Sequence, residues 1–247
     1  MAHIASPARG AADSKKYRFA LRIAFAATAL WTIAAPADAQ VGAAVSLFSD
    51  YRFRGFSLSD DRPVAILDVS YDAPSGLYAA ASGSVVTARS EGLRMLGLQV
   101  NGGYARQLRS GLTIDLGAVR SRYSSYSGLG SSRSYTELYA GVRGKVVSSR
   151  LSVSPDYFDS GASLYGEITG QFRPARNLEV QASLGALAPL GRAHDHGLAT
   201  DGRIGLEWRS GRVSLHGAVT TRRGSPSFYS VGHSHRTAVV FGASFAL

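Results

Sequence analysis

The chain has 247 residues, among them 28 glycines and no cysteine, and it carries a formal charge of +10. The absence of cysteine excludes a disulfide framework and a thiolate metal site. The positive balance invites a nucleic-acid reading, but the 27 basic residues are scattered without a long block, which argues against a nucleic-acid partner.

Residues 1–39 have the order of a secretory signal. Lys15, Lys16, Arg18 and Arg22 form a basic stretch, "IAFAATALWTIAA" (23–35) an apolar run, and "ADA" (37–39) a small-residue cleavage site before Gln40. The apolar run is shorter than the roughly 20 residues a helix needs to span a bilayer. Residues 1–39 hold five basic and two acidic residues, so the balance from Gln40 onward falls to +7. The expected organisation is a signal peptide over 1–39 and one domain over 40–247.

From Gln40 onward helical periodicity is almost missing. Period-two stretches recur between Gly, Ser, Pro and Asp clusters. Twelve strands are expected: 44–54, 64–72, 77–88, 94–106, 112–122, 134–143, 146–154, 163–172, 178–187, 203–209, 212–222 and 236–247. In the first, "SDYRFRGF" (49–56) alternates Asp50, Arg52 and Arg54 with Tyr51 and Phe53. A wall between lipid and a wet lumen accommodates both faces, with Tyr51 and Phe53 toward lipid. In the fourth, Arg94 and Arg106 share a face with Leu96, Leu98, Val100 and Tyr104. Their twelve-residue separation is about 40 Å of strand, enough when tilted to clear an apolar band of about 25 Å. In the fifth, Arg120 and Arg122 continue the outward face of Leu112, Ile114, Leu116 and Ala118.

A soluble β-sandwich also alternates, so the connections decide. "DAPSG" (72–76), "LRSG" (108–111), "RGK" (143–145), "RPARN" (173–177) and "RSGR" (209–212) are short. "GFSLSDDRP" (55–63), "YSSYSGLGSS" (123–132), "PDYFDSGA" (155–162), 188–202 and 223–235 are longer. Short turns at one end and long loops at the other are the mark of an all-β transmembrane antiparallel barrel of the outer membrane. Tyr71, Tyr104, Phe172, Trp208 and Phe245 would form an outward aromatic girdle near the short turns. The ending "VVFGASFAL" resembles the signal that such barrels present to the barrel-assembly machinery.

"SDYRFRGFSLSDDRPV" (49–64), "YTELYAGV" (135–142) and "SPDYF" (154–158) together resemble the TorF family of porins. The segment "LYAAASGSVV" (77–86) departs from that pattern, lacking a Trp and an Asn. The resemblance implies an outer-membrane β-barrel with a transport role and supplies no catalytic residues.

A barrel of this size encloses a narrow polar lumen. The expected lining is Asp50, Arg52, Arg54, Asp68, Asp115, Glu137, Glu167, Glu179 and Glu207. Confined charges should pair, arginine fork to carboxylate. The pairing either fills the lumen or leaves a charged constriction. Two short motifs are weak metal candidates in long loops: "HDH", with His194 and His196, and "HSH", with His233 and His235. His216 is expected as an inward lining residue. No GxSxG, HExxH, P-loop or strand–helix GxGxxG occurs, so neither an enzyme nor a cofactor is expected.

The sequence thus points to a porin-like channel for passive diffusion of small hydrophilic solutes in the outer membrane of a Gram-negative cell. Its expected partners are lipid, lipopolysaccharide and the assembly machinery. The rival is a closed barrel that binds or supports through its loops.

Overall fold

The computed structural model describes residues 39–88, 91–190, 197–224 and 236–247. Residues 1–38 of the signal-like segment lie outside them. The metal candidates His194, His196, His233 and His235 also lie outside the described residues.

Alternation forces the architecture. Leu47, Leu67, Leu98, Leu138, Ile168, Leu184 and Ile204 are all half or more exposed, while Ser46, Asp68, Gln99, Ser121, Glu137, Ser152 and Ser244 are buried. A soluble sandwich would do the reverse. An inside-out distribution needs an apolar solvent outside and a closed wall, because an open edge would leave backbone groups unpaired in lipid.

The wall is a closed antiparallel barrel of twelve strands. In chain order they are β1 (Gln40–Phe48), β4 (Val64–Asp72), β5 (Leu77–Ala88), β6 (Gly92–Gln107), β7 (Thr113–Tyr123) and β8 (Arg133–Arg143). The circuit continues through β9 (Val147–Ser154), β10 (Ser163–Ala175), β11 (Leu178–Pro189), β12 (Ala199–Ser210), β13 (Val213–Arg223) and β14 (Thr237–Ala246). It closes where Val45 of β1 faces both Phe245 of β14 and Leu67 of β4. Between β1 and β4, two further strands, β2 (Arg52–Phe53) and β3 (Phe56–Ser57), form a separate hairpin. A 3-10 turn spans Tyr157–Asp159. The connections sort by length as expected, except that Ala88 and Gly92 bracket a brief one at the long-loop end. Tyr71, Tyr104, Phe172, Trp208 and Phe245 are exposed near the short turns.

Two sequence expectations need correction. The first strand stops at Phe48 instead of running to residue 54, and the chain turns into the lumen. Tyr51 and Phe53 therefore do not face lipid, and Phe53 is buried. Arg94, which pairs with buried Val86, and Leu96 do not share the outward face of Leu98 and Arg106. Ser84 pairs with Gly97 and Val85 with Met95, so Leu96 is the extra residue of a β-bulge. It is fully buried with Phe48, Val64, Ile66, Val86 and Val240.

Inside the wall, aromatics lie across glycines of neighbouring strands. A Cβ at Gly97 would strike Tyr123, one at Gly103 would strike Tyr78, and one at Gly117 would strike Tyr139. Each missing side chain lets a ring fold flat against the wall, so glycine spacing sets how far the rings project into the lumen. Gly117→Ala should collide with the Tyr139 ring and with the Gly102 carbonyl oxygen at 2.7 Å. The expected loss is about 1–3 kcal/mol in reversible urea unfolding from detergent micelles. Gly170→Ala, whose Cβ would meet only the Ala182 carbonyl oxygen at 4.0 Å, should stay within about 0.5 kcal/mol of the parent.

Candidate functional site

The infolded segment is built around one carboxylate. Asp50 Oδ2 accepts from Arg52 Nε at 2.5 Å, and Asp50 Oδ1 accepts from Ser57 Oγ at 2.5 Å and Ser59 Oγ at 2.9 Å. Arg52 also donates to the Gly55 carbonyl (3.0 Å) and to Asp61 (2.6 Å). These bonds close residues 50–61 on themselves, so the segment enters the barrel with its charges already compensated. The β2–β3 turn places Arg54 and Gly55 at φ 51° and 73°. Two left-handed residues make a tight hairpin turn whose twist matches the strands. Glycine is required at 55 for a second reason: a Cβ there would lie 2.8 Å from the Thr221 carbonyl oxygen. The hairpin tip therefore touches the β12–β13 wall.

From that tip Arg54 reaches strands far around the circuit from β1. Its Nη2 lies 2.8 Å from Glu137 Oε1 of β8, and both side chains are about 95% buried. Its guanidinium stacks 3.7 Å above the centroid of Tyr165 on β10 and 5.2 Å from that of Tyr157. A buried guanidinium needs a counter-charge, and aromatic faces around it add to its stabilisation. Phe53, Phe56, Leu58, Tyr123, Leu129, Tyr135, Tyr157, Phe158, Tyr165 and Leu187 complete an apolar plug across the long-loop half of the lumen. Phe158 adopts φ 52°, ψ 42° to enter it. A bulky residue in that region costs on the order of 1 kcal/mol. Edge contacts of Phe158 with Tyr135 at 4.6 Å and Tyr157 at 4.7 Å offset that cost. Loop 124–132 is tied on as well: Arg62 donates to the Tyr126 carbonyl (2.6 Å), and Gly128 N–H to the Leu58 carbonyl (2.9 Å).

Below the plug the lumen is ionic. Asp115 accepts from Tyr78 Oη at 2.6 Å and from Arg150 Nη2 at 3.2 Å, and Tyr78 also bonds Tyr139. Arg150 stacks 4.2 Å from the Tyr139 centroid. Glu167 accepts from Tyr165 and Thr169. Arg209 joins Glu207 (2.5 Å) to Glu179 (3.3 Å), and Arg173 also bonds Glu179 (2.7 Å). Asp68 is fully buried on β4 and accepts from Ser82. His216 Nε2 lies 2.9 Å from Ser244 Oγ, which lies 2.9 Å from Ser46 Oγ. A cleft of about 30 Å³ is lined by Asp115, Arg143, Ser148, Arg150, Glu167 and Thr169, room for water and little more.

Of the nine charges expected to line a lumen, six (Asp68, Asp115, Glu137, Glu167, Glu179 and Glu207) project inward from wall strands. Asp50, Arg52 and Arg54 belong to the plug and not to β1. The sequence reading missed Arg150, Asp201 and Arg209. Arg150 was legible, since Ser148, Arg150 and Ser152 alternate against Leu151 and Val153. Asp201 falls in an expected connection because β12 begins before 203, and Arg209 stands where the expected strand 203–209 meets the expected turn "RSGR". Among the described residues no three His, Asp or Glu side chains are grouped to hold a metal ion. That statement does not reach His194, His196, His233 or His235, which fall outside the described residues.

An apolar exterior, an ionic interior and an infolded segment define a porin-like transmembrane β-barrel. The chain belongs to the family described as "Bacterial protein of unknown function (Gcw_chp)", whose model matches residues 33–238. No curated protein matches the chain. Among solved structures it is similar to the KdgM porin in complex with disordered oligogalacturonate, at 14% identity and TM-score 0.53, covering 84% of this chain and 99% of that one. It is also similar to the NanC porin, at 12% identity and TM-score 0.53, covering 84% and 100%. At these identities the likeness is one of fold.

Removing one partner of the Arg54–Glu137 pair should release the plug. Glu137→Gln leaves a guanidinium without counter-charge among aromatic rings, a loss of about 3 kcal/mol. Amide exchange across 50–61 should then rise about a hundredfold. The double variant Arg54→Met/Glu137→Leu should exchange more slowly than the single variant, because it removes both charges. Mass-resolved exchange in detergent measures both.

Proposed function

We propose that this chain is a channel of the Gram-negative outer membrane that passes small hydrophilic solutes by diffusion, with residues 50–61 as its constriction. The carrying observation is the division of the lumen into an apolar plug held by Arg54–Glu137 and an ionic cleft beneath it. In this reading Asp115 and Glu167 line the cleft with Arg143 and Arg150, and Glu179 and Glu207 line the lumen with Arg209. Asp50, Arg52, Arg54, Asp68 and Glu137 hold or face the constriction. Two carboxylates and two arginines share the lining of the cleft, which favours small polar or zwitterionic solutes over a strongly charged one. The TorF-like stretch 49–64 falls on the constriction itself, which supports placing the chain with that type of porin. Phe245 on the last strand and Leu247 just after it, both exposed, would meet the barrel-assembly machinery.

A second reading is a closed barrel that acts through its loops. It is favoured by the ten buried side chains of the plug.

Planar-bilayer recording separates the two. The parent protein should give small, uniform conductance steps. A variant joining Ser49 to Arg62 through a short Gly-Ser bridge should give steps several-fold larger. Current from the shortened form alone would transfer the assignment to the closed barrel. Silence from both would remove the channel proposal.

A further inference from the structure

The lipid-facing side of β7 carries two arginines that the channel reading does not use. Arg120 and Arg122 project outward at the long-loop end, in register with Val100 and Leu98 of β6 and with Thr136 and Ser134 of β8. Val100 and Leu98 are about half exposed, as lipid-facing side chains should be. Two cations therefore stand beside the apolar band.

Neither arginine has a carboxylate partner among the described residues. Arg120 donates to Thr136 Oγ1 at 2.7 Å and to Ser134 Oγ at 3.2 Å, which fixes its head against β8 without neutralising it. The acids of this region are engaged elsewhere. Glu137 faces inward onto Arg54. Glu91 accepts from Tyr126 at 2.6 Å and Arg94 at 3.1 Å, and these bonds hold its carboxyl below the usual range.

A lipid-facing arginine costs about 2–4 kcal/mol at the bilayer midplane and about 0–1 near the interface. Two unpaired ones on adjacent outward positions are stable where an anionic headgroup meets them. Residues two apart on a strand lie about 7 Å from each other on one face. Two planar forks at that spacing can clasp one phosphate from both sides, while Thr136 and Ser134 keep the first fork in place.

We propose that Arg120 and Arg122, with Thr136 and Ser134, form a binding site for a lipid phosphate, and that its occupant is the phosphorylated glycolipid of the outer leaflet. The assignment of the leaflet rests on the outer-membrane reading above, in which the long loops face outside the cell.

Titration of the detergent-folded barrel with bis-phosphorylated lipid A, dephosphorylated lipid A and phosphatidylglycerol, followed by native mass spectrometry, tests the site. The parent should retain bis-phosphorylated lipid A at least tenfold better than either other lipid. Arg120→Gln/Arg122→Gln should lose that preference, with heat-modifiable gel migration confirming that it is folded. Arg212→Gln, at the opposite end, should keep it. Equal retention by parent and double variant, or equal retention of the dephosphorylated lipid, overturns the site. Equal retention of phosphatidylglycerol overturns the glycolipid assignment. Density-gradient fractionation of cells making the full chain tests the leaflet reading separately. A chain found away from the outer membrane defeats that reading and with it the assigned occupant, whatever phosphate dependence the purified barrel shows.

Discussion

The ion pair between Arg54 and Glu137 is the contact on which the interior depends. Chain positions 83 apart meet through it, at side chains about 95% buried. Burying a guanidinium is costly, and the structure meets that cost with one carboxylate and a ring of aromatic faces. Every other feature of the plug can be understood as a condition for that meeting. The left-handed pair Arg54–Gly55 aims the side chain, and the bare Cα of Gly55 lets the tip approach β13. The Asp50 hub keeps the remaining charges of the segment from competing for Glu137. The rings of Tyr157 and Phe158 reach the guanidinium and its neighbours only because the 3-10 turn departs from ordinary backbone angles.

The wall and the plug differ in kind. Each wall strand is hydrogen-bonded on both sides around a closed circuit, so no strand can leave without breaking two ladders. The hairpin pairs only Arg52 with Ser57 and Phe53 with Phe56. Its hold on the barrel comes from one buried ion pair, aromatic packing and a few loop bonds. Cooperative units with fewer backbone pairings open at lower free energy. A change in the bore of this barrel therefore falls on residues 50–61, while the ionic wall beneath keeps its shape.

Most of the fold was legible because lipid and lumen impose opposite demands on alternate residues, and the twelve strands follow from that rule. It failed where alternation persists for another reason. Tyr51 and Phe53 alternate with Asp50, Arg52 and Arg54 as a wall strand would. A lumen hairpin also has one face against rings and one against charges, so period two cannot tell them apart. The pair Arg54–Gly55 was the available turn signal. At Leu96 the run Met95–Leu96–Gly97–Leu98 contains no polar residue to mark the change of parity, and only the pairing with β5 reveals the bulge. The individual carboxylates could be assigned inward from sequence. Their partners could not, because Arg54 and Glu137 are brought together by a turn into the lumen and not by any spacing along a strand.

The two ends of the outer surface are also unlike, and the difference follows from what each must face. Near the short turns, outward Tyr71, Tyr104, Phe172, Trp208 and Phe245 present amphipathic or apolar rings. Rings of that kind settle at a zwitterionic headgroup layer, where one edge is wet and the other dry. Near the long loops, β7 and β8 replace rings with Arg120, Arg122, Ser134 and Thr136. Guanidinium forks and hydroxyls favour fixed, densely charged oxygens over a fluid interface. The same asymmetry governs the interior, where aromatic packing fills the long-loop half and paired charges line the other. Inside and out, the end that carries the long loops is the one built for fixed and specific contacts.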